Sequence, residues 1–241
     1  MEKIIRLNEV KNPVISIIVP TLNEEKYIEN TLLSLKWQNF KLPYEIIVSD
    51  SNSKDKTIKI AKKYADVIII SDKKGVSVGR NLRARIAKAE ILLFVDADTI
   101  LLPNALKEIY EFLKKKEYVG ANIVVLSDNL KYNFHYIAAT IVCYLLNKIN
   151  AHPVYAVCLA CRKKEFMKVG GFNEKLHVAE DIDLGERLKK LGRIGYLTNT
   201  FAISSARRLN KWGVFKTIAA WPLGYFLIKF FNKQPSYDPI R

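Results

Sequence analysis

The sequence has 241 residues, 49% of them hydrophobic, and its 39 Lys and Arg residues against 24 Asp and Glu residues give a net charge of +15. This length suits one large domain or a domain with an appendage, and the composition, without repeats or low-complexity tracts, excludes a disordered chain. The excess of positive charge predicts an anionic partner: nucleic acid, lipid head groups or a phosphorylated substrate. The first ten residues carry charges where a signal peptide needs an apolar run, so we expect the chain to remain in the cytoplasm.

The first half of the chain alternates apolar strands with helical patterns. Strands are predicted at residues 14–20, 45–50, 67–71 and 91–95. Helices are predicted at about residues 24–38, 55–64, 78–88 and 103–116, with Asp55 as the N-cap of the second helix. This alternation predicts a mostly parallel α/β sheet flanked by helices, with right-handed crossovers.

The second half is less regular. A strand at residues 118–127 is followed by a helix-like stretch at 130–149, a strand at 154–163, a turn at 170–172 and a helix at about 180–191. The helix-like stretch is apolar nearly all round. No linker rich in Pro or Gly separates the halves, so we expect them to form one unit. Gly170 and Gly171 are expected to serve a backbone turn.

The cysteines and histidines do not predict a metal or redox site. The odd number of cysteines, three, argues against a disulfide framework. Cys158 and Cys161 form a CxxC pattern within a predicted strand, where residues three apart face opposite sides, so we expect two core residues. His135, His152 and His177 lack the spacing of metal ligands.

The stretch "FVDADT" places Asp96 and Asp98 at the end of a strand that is apolar on both faces. In parallel sheets ligands bind outside the carboxyl ends of the strands. Residues i and i+2 of an extended segment point the same way, so the two carboxylates can converge on a divalent cation that carries a diphosphate. The alternative is that "DADT" is only a turn, with the acids capping the helix that follows Pro103.

Six motifs in order carry a family resemblance. "PTLNE" follows the first strand and "VSDSNSKDKT" includes the end of the second; "VGRN", "FVDADT", "GGFNE" and "AEDIDL" come later. Together, over about residues 14–213, they resemble family 2 glycosyltransferases of the GT-A fold, a Rossmann-like nucleotide-diphospho-sugar transferase fold. The resemblance implies an enzyme that transfers a sugar from a UDP- or GDP-linked donor.

The resemblance also implies a donor site. Pro20, Thr21, Glu24 and Asp50 lie where such enzymes hold the nucleotide base and ribose, with an acidic side chain accepting a hydrogen bond from the base. Arg80 in "VGRN" would add a cation near the phosphates.

Metal binding is implied in the same way. Asp96 would lie by the ribose or the metal, and Asp98 would coordinate the Mn²⁺ or Mg²⁺ that bridges the diphosphate and assists the leaving group. Related dolichol-phosphate mannose synthases tend to have a polar ligand two positions later, where this sequence has Ile100. The third protein ligand therefore has no candidate.

The "AEDIDL" and "SSARRLNKWG" motifs imply the acceptor side. Asp181 matches the catalytic base, which takes the proton of the acceptor hydroxyl during an inverting displacement, and Glu180 would raise the proton affinity of Asp181 or orient the acceptor. Alternatively, these acids and Asp183 only favour the positive end of a helix. Arg207 or Arg208 would reach the diphosphate or an acceptor phosphate, as in non-processive members, unless this segment is a solvated basic loop. The QxxRW motif of processive synthases is absent.

The C-terminal sequence predicts contact with a membrane. Residues 212–231 are long enough to span a bilayer, but they contain Lys216, Pro222 and Lys229, which favours interfacial or re-entrant helices over a full span. A tail packed on the domain's own core is the alternative. We therefore predict a catalytic domain at residues 1–210, a membrane-associated segment at 211–241, and a lipid-linked or membrane-embedded acceptor at the cytoplasmic face of the membrane, with no nucleic acid partner.

Two other functions remain open at this point. A haloacid-dehalogenase-like phosphatase would use Asp96 as nucleophile and Asp98 as acid/base, although three strands precede "FVDADT" here and that family begins with this strand. A non-catalytic basic protein that binds membranes or nucleic acid, built on a degenerate transferase fold, is the other. The presence of Asp96, Asp98 and Asp181 together argues against a loss of catalysis.

Overall fold

The computed structural model describes residues 2–72, 75–151, 153–176, 178–214 and 216–217. The β-strands are β1 (Glu2–Arg6), β2 (Ile15–Thr21), β3 (Tyr44–Asp50), β4 (Val67–Ser71), β5 (Ile91–Val95), β6 (Thr99–Leu101), β7 (Tyr118–Ser127), β8 (Cys158–Arg162) and β9 (Arg193–Ser204). The α-helices are α1 (Ile28–Lys36), α2 (Thr57–Ala61), α3 (Val76–Ile86), α4 (Ala105–Leu113), α5 (Asn133–Asn147), α6 (Lys163–Lys168), α7 (Glu180–Lys189) and α8 (Arg207–Trp212), and a 3-10 helix spans Leu130–Tyr132.

The strands form one sheet with the order β1-β4-β3-β2-β5-β8-β7-β9-β6. The run β4-β3-β2-β5 is parallel, as the alternating pattern of the first half predicts. Beyond β5 the sheet is mixed, because β8 runs antiparallel to both β5 and β7 while β7 and β9 are parallel. The fold is therefore an α/β fold with a mixed sheet, and the prediction of a mostly parallel sheet holds for the first half only.

The core consists of two layers, one on each face of the sheet. Ile17 and Val19 of β2 pack into one layer, and Ile18 between them packs into the other. Cys158 and Cys161 of β8 divide in the same way, and both are buried and free of disulfides. The CxxC pattern thus contributes to the core, as predicted.

Strand β1 was not predicted, because its sequence "EKIIR" is short and charged. It pairs antiparallel with β4 at an edge of the sheet. The guanidinium of Arg83, which is 1% exposed, donates from Nη1 to Oε1 of Glu2 at 2.6 Å. This ion pair to α3 attaches the edge strand to the body of the fold.

The helix-like stretch at residues 130–149 is confirmed as the 3-10 helix followed by α5. Its apolar side chains are largely exposed, including Phe134 at 78% and Ile141 at 56%. Within the described ranges, no helix is both long and apolar enough to cross a membrane. The predicted membrane segment lies mostly outside the described residues, and α8 continues through the predicted boundary at residue 210 to Trp212.

Candidate active site

The polar loops after β2, β3 and β5 meet the N-terminal end of α7 and the segment after β9. Strand β5 ends at Val95, and residues 96–98 form a turn in which the Thr99 N–H donates to the Asp96 carbonyl at 3.1 Å. The expectation that Asp96 and Asp98 continue the strand and point the same way is therefore wrong. The alternative was that the two acids form a turn and cap the following helix. The turn is present, but α4 begins at Ala105 without a side-chain cap. Each aspartate instead faces a different arginine.

Arg80 joins the turn after β5 to the start of α7. This guanidinium is 3% exposed and donates from Nη2 to Asp96 at 2.7 Å and from Nη1 to Glu180 at 3.1 Å. It also lies over the ring of Phe172, with its Cζ 5.2 Å from the ring centre. A buried cation between two carboxylates fixes their separation, because losing either partner would leave an uncompensated buried charge.

Arg207 makes a second bridge, from α8 to two loops. Its Nη1 and Nη2 donate to the two carboxylate oxygens of Glu24 at 2.7 and 3.0 Å, and its Nε lies 3.0 Å from Oδ2 of Asp98. The guanidinium also stacks over the ring of Tyr27 at 5.0 Å. This bidentate geometry brings Glu24 and Asp98 together although 74 positions separate them in the sequence.

Asp98 has a higher proton affinity than an ordinary aspartate. Burial, together with the nearby carboxylates of Asp96 and Glu24, raises the pKa of Asp98 to about 6 against the opposing effect of Arg207. This side chain therefore loses its proton less readily than an ordinary aspartate does, even with Arg207 beside it.

Asp181 lies in the first turn of α7, in a half-buried position. Its Oδ2 accepts from the backbone N–H of Ala156 at 3.1 Å, and its Oδ1 accepts from the N–H of Ile182 at 2.9 Å. Burial raises the pKa of Asp181 and of Glu180 beside it, although Arg80 opposes the shift in both. Two carboxyl groups with raised proton affinity at a helix N-terminus are suited to exchanging a proton with a bound hydroxyl group.

The loops after β2 and β3 form a connected wall. Asp50 is 1% exposed and accepts hydrogen bonds from the Thr21 hydroxyl at 2.9 Å and from the Ser53 N–H and hydroxyl at 2.8 and 2.6 Å. The Glu24 N–H donates to the hydroxyl of Thr57 at 2.7 Å. Asp50 therefore holds the two loops together, and its predicted contact with a base stays a prediction.

Three further residues from the sequence analysis, Pro20, Arg208 and Asp55, have the following contacts. Pro20 pairs with Ser49 where β2 and β3 run side by side. Arg208 lies over the ring of Trp212 at 5.8 Å, whereas its neighbour Arg207 enters the carboxylate cluster. The N-cap position of α2 is Lys56 and not Asp55 as predicted, but Asp55, one residue earlier, still accepts from the Thr57 N–H at 3.0 Å.

The "GGF" turn closes the site beside α3. Gly170 and Gly171 have φ of +80° and +73°, which confirms the predicted backbone role. Asn81 donates to the Phe172 carbonyl and accepts from the Phe172 N–H, both at 2.8 Å. A Cβ on Gly171 would lie 2.5 Å from Oδ1 of Asn81, so only glycine fits this approach.

Comparisons with known proteins identify the family of this chain. The family model described as glycosyl transferase family 2 matches residues 16–208. The chain belongs to this family.

Relatives of this family 2 protein cover it to different extents. The poly(ribitol-phosphate) beta-N-acetylglucosaminyltransferase TarS of Staphylococcus aureus is 36% identical over 105 residues, which are 41% of this chain and 18% of TarS. An uncharacterized glycosyltransferase of Haemophilus influenzae is 27% identical over 181 residues, which are 70% of this chain and 60% of that protein. The chain thus spans less than two thirds of the length of both relatives.

Solved structures share the fold of this family 2 protein. The mannosyltransferase PcManGT of Pyrobaculum calidifontis, solved with GDP-Man and Mn²⁺, superposes with a TM-score of 0.75 at 18% identity, over 94% of this chain and 66% of that one. TarS of S. aureus, solved with UDP-GlcNAc, superposes with a TM-score of 0.66 at 23% identity, over 91% of this chain and 73% of that one.

The oxygen ligands of this family 2 site fit a divalent cation. Among the residues that the structure describes, no three His, Cys, Asp or Glu side chains are grouped so as to hold a metal by themselves. Asp98 and Asp96 would supply two oxygens, which is typical of Mg²⁺ sites completed by substrate phosphates and water. Burial and two neighbouring carboxylates raise the pKa of Asp98, and a bound cation would oppose that shift.

Sequence reasoning missed the part of this site that comes from the turn before β8. Ala156 there donates its N–H to Asp181, and the Val157 carbonyl accepts from the Asp96 N–H at 3.2 Å. The signal that could have indicated it is Asn122, a single polar amide in the otherwise apolar strand β7, 2% exposed.

Proposed function

We propose that this chain is a metal-dependent, inverting, non-processive glycosyltransferase that moves a sugar from a UDP- or GDP-linked donor to a lipid-linked or membrane-proximal acceptor. The observation that carries the proposal is the bridge made by Arg80. One guanidinium contacts Asp96, on the expected donor side, and Glu180, beside the expected base Asp181. This contact supports the proposal, because one side chain links the expected donor side of the site to the expected acceptor side.

The residues divide the work as follows. Thr21, Glu24 and Asp50 form the wall against the nucleotide, and Arg80 offers positive charge to the diphosphate. Asp98 and Asp96 would hold the divalent cation, which would supply Lewis-acid stabilisation of the departing nucleoside diphosphate when bound.

On the opposite side, Asp181 takes the proton of the acceptor hydroxyl as that oxygen attacks the anomeric carbon. A single displacement inverts the anomeric configuration. Glu180 and the raised proton affinity of both acids suit this exchange near neutral pH.

The rival phosphatase function lacks support. A phosphatase of that class begins with the strand that bears its nucleophile, whereas β5 follows four other strands here and the chain belongs to a glycosyltransferase family. Against the non-catalytic alternative, Asp96, Asp98 and Asp181 are all present in a chain that belongs to a glycosyltransferase family.

The donor is tested by thermal unfolding of the full chain with UDP, GDP and their sugar conjugates, each with and without Mn²⁺. A ligand at a hundredfold excess over its Kd stabilises the folded state by about 2.7 kcal/mol. We expect a Mn²⁺-dependent rise in Tm with one nucleotide family, absent in Asp98→Ala. If no nucleotide raises the Tm of the wild type, the transferase proposal fails.

The acceptor proposal is supported by the α5 apolar surface, the exposed apolar side chains of the 3-10 helix, of α5 and of the turn that follows α5. Its members are Leu130, Phe134, Ile137, Ile141, Val142, Leu145 and Ile149, each more than half exposed. Lys131 and Lys148 flank this surface, and the chain as a whole is strongly basic. An apolar strip with cations at its edges is suited to an anionic lipid surface.

Co-sedimentation of the full chain with vesicles tests this surface. The double variant Phe134→Ser/Ile141→Ser should bind phosphatidylglycerol vesicles several-fold more weakly than wild type. Trp37→Ser is the matched control, because Trp37 is 72% exposed and lies at the end of α1. Equal binding by the double variant and wild type would exclude the α5 apolar surface as a membrane contact.

A further inference from the structure

The turn before β8 contacts both sides of the site with its backbone. Residues 155–158 connect the loop after α5 to β8 and make no regular ladder before Cys158. Within this 155–158 turn, the Ala156 N–H donates to Oδ2 of Asp181 at 3.1 Å. The Val157 carbonyl accepts from the Asp96 N–H at 3.2 Å. The position of this turn therefore decides where one oxygen of the Asp181 carboxylate lies.

Asn122 holds the turn from the neighbouring strand β7. Its Nδ2 donates to the Tyr155 carbonyl at 2.7 Å and to the Cys158 carbonyl at 3.0 Å. Its Oδ1 accepts from the Tyr155 N–H at 3.3 Å. Both amide N–H groups are thus used, in a side chain that is 2% exposed. The amide pairs the backbone of an irregular segment much as a neighbouring strand would.

We propose that Asn122 is a positioning residue for the Asp181 carboxylate, acting through the 155–158 turn. The inference rests on the proposed role of Asp181 as the base. Two N–H groups from different elements, Ala156 in the turn and Ile182 in α7, together fix the plane of this carboxylate. Without Asn122 the turn loses three hydrogen bonds, and the Ala156 N–H is no longer held in position. The Asp181 carboxylate is then free to rotate.

The donor side should be affected much less. If the turn moves, the Asp96 N–H loses its contact with the Val157 carbonyl, but the Asp96 carboxylate keeps its ion pair with Arg80. Asn122 makes no hydrogen bond to the wall formed by Thr21, Glu24 and Asp50. A misplacement near 1 Å at a reacting group can cost about a hundredfold in rate. The expected signature is therefore a loss in kcat with donor affinity kept.

A contact from α7 holds the same segment independently. A Cβ on Gly185 would lie 2.5 Å from Cβ and Cγ2 of Val154, so Val154 sits directly on the backbone of α7. Gly in a helix interior costs about 1 kcal/mol relative to Ala, and the close approach of Val154 accounts for its presence here. Gly185→Ala should push Val154, and the turn after it, away from Asp181.

The first test measures Tm, nucleotide affinity, kcat and KM for Asn122→Ala in the full chain. Asn147→Ala is the matched control, because Asn147 in α5 also donates from a side-chain amide to a backbone carbonyl, that of Ile194 at 2.7 Å, away from Asp181. We expect Asn122→Ala to lower kcat about ten- to a hundredfold with nucleotide affinity within about twofold of wild type. Asn147→Ala should keep kcat within about twofold.

The second test applies if Asn122→Ala does not fold, and it is informative in any case. Gly185→Ala should lower kcat, and the added change Val154→Ala should restore most of it by making room for the new methyl group. A folded Asn122→Ala with wild-type kcat overturns the positioning role, as does an equal loss in nucleotide affinity and kcat. Wild-type kcat in Gly185→Ala overturns it as well.

Measurements on wild type and on Asp181→Asn show whether a negative result contradicts the positioning role of Asn122 or the proposed function itself. Wild type without transfer to any acceptor refutes the transferase and the positioning role together. An active Asp181→Asn variant refutes the base, and the role of Asn122 with it. Where wild type is active and Asp181→Asn is not, the Asn122 and Gly185 variants decide the positioning role alone.

Discussion

Replacing Asp98 by Asn should stabilise the protein while abolishing transfer. The pKa of Asp98 is raised from 3.8 to about 6, mainly by burial and further by Asp96 and Glu24. Above pH 6 the native state therefore holds a carboxylate in a place that favours its protonated form. Two pKa units correspond to about 3 kcal/mol, which is an upper estimate for the stability that Asn recovers at pH 7.5.

The pH dependence follows from the direction of the shift. Because the native state binds a proton at Asp98 more readily than the unfolded state does, the penalty is complete above about pH 6. It fades as pH falls toward 3.8, the ordinary value. The difference between Asp98→Asn and wild type should therefore shrink on acidification. For a chain of this size, about 3 kcal/mol corresponds to about 6–12 °C in Tm.

The assay is thermal or urea unfolding of both proteins from pH 4.5 to 8, without metal. Asp55→Asn is the control of opposite sign. At Asp55, burial is outweighed by hydrogen bonds from Thr57 and Glu25, so its pKa is lowered and its amide variant should lose stability at neutral pH. An Asp98→Asn protein that is less stable than wild type at pH 7.5, or a difference that does not change with pH, would refute the charge assignment.

Two further predictions concern the acceptor side and the "GGF" turn. Because burial raises the pKa values of Asp181 and Glu180, kcat should fall as pH drops through a range above that of ordinary carboxylates; a pH–rate profile that stays flat down to about pH 4 would contradict a base at this position. Gly171→Ala should destabilise the fold by more than about 1 kcal/mol, since φ is +73° and the new methyl group would meet Asn81; unchanged urea unfolding would contradict the close approach.

The central strands could be predicted from the sequence because each contains a run of apolar residues, which can be recognised without knowing which strands pair with it. Strands β2, β3, β4 and β5 all lie where those runs predict, and the loops that follow β2, β3 and β5 carry the polar motifs. Strand β1 escaped prediction because what holds it is distant in the sequence. Glu2 is paired with Arg83, 81 positions away, and charged residues in a short edge strand resemble a loop.

The acids of the site could be predicted, but not their partners. Asp96 and Asp98 are two positions apart and reach different arginines, because the chain turns immediately after Val95. That turn depends on the Thr99 N–H and on the Val157 carbonyl, which accepts from the Asp96 N–H. No local pattern indicates these contacts. Asn122 could be recognised as an isolated amide in an apolar strand but not as a functional residue, because a polar residue in a strand has many structural explanations.

The balance of charge in the site argues for joint binding of metal and nucleotide. Glu24, Asp96, Asp98, Glu180 and Asp181 contribute carboxylates, whereas Arg80 and Arg207 contribute the cations that contact this cluster. When all are ionised, three negative charges remain in excess, inside a chain whose net charge is +15. A nucleoside diphosphate would add more negative charge, and like charges at close range repel strongly where water is scarce.

A divalent cation reduces this excess from three negative charges to one, so each ligand should strengthen the binding of the other. Nucleotide alone should therefore raise the Tm weakly, Mn²⁺ alone modestly, and the two together by more than the sum of the separate effects. In Asp98→Asn, where one negative charge is removed, nucleotide without metal should bind better than it does to wild type, while the added gain from Mn²⁺ should be lost. Binding of nucleotide to wild type that is equally tight with and without Mn²⁺ would show that Arg80 and Arg207 neutralise the diphosphate by themselves.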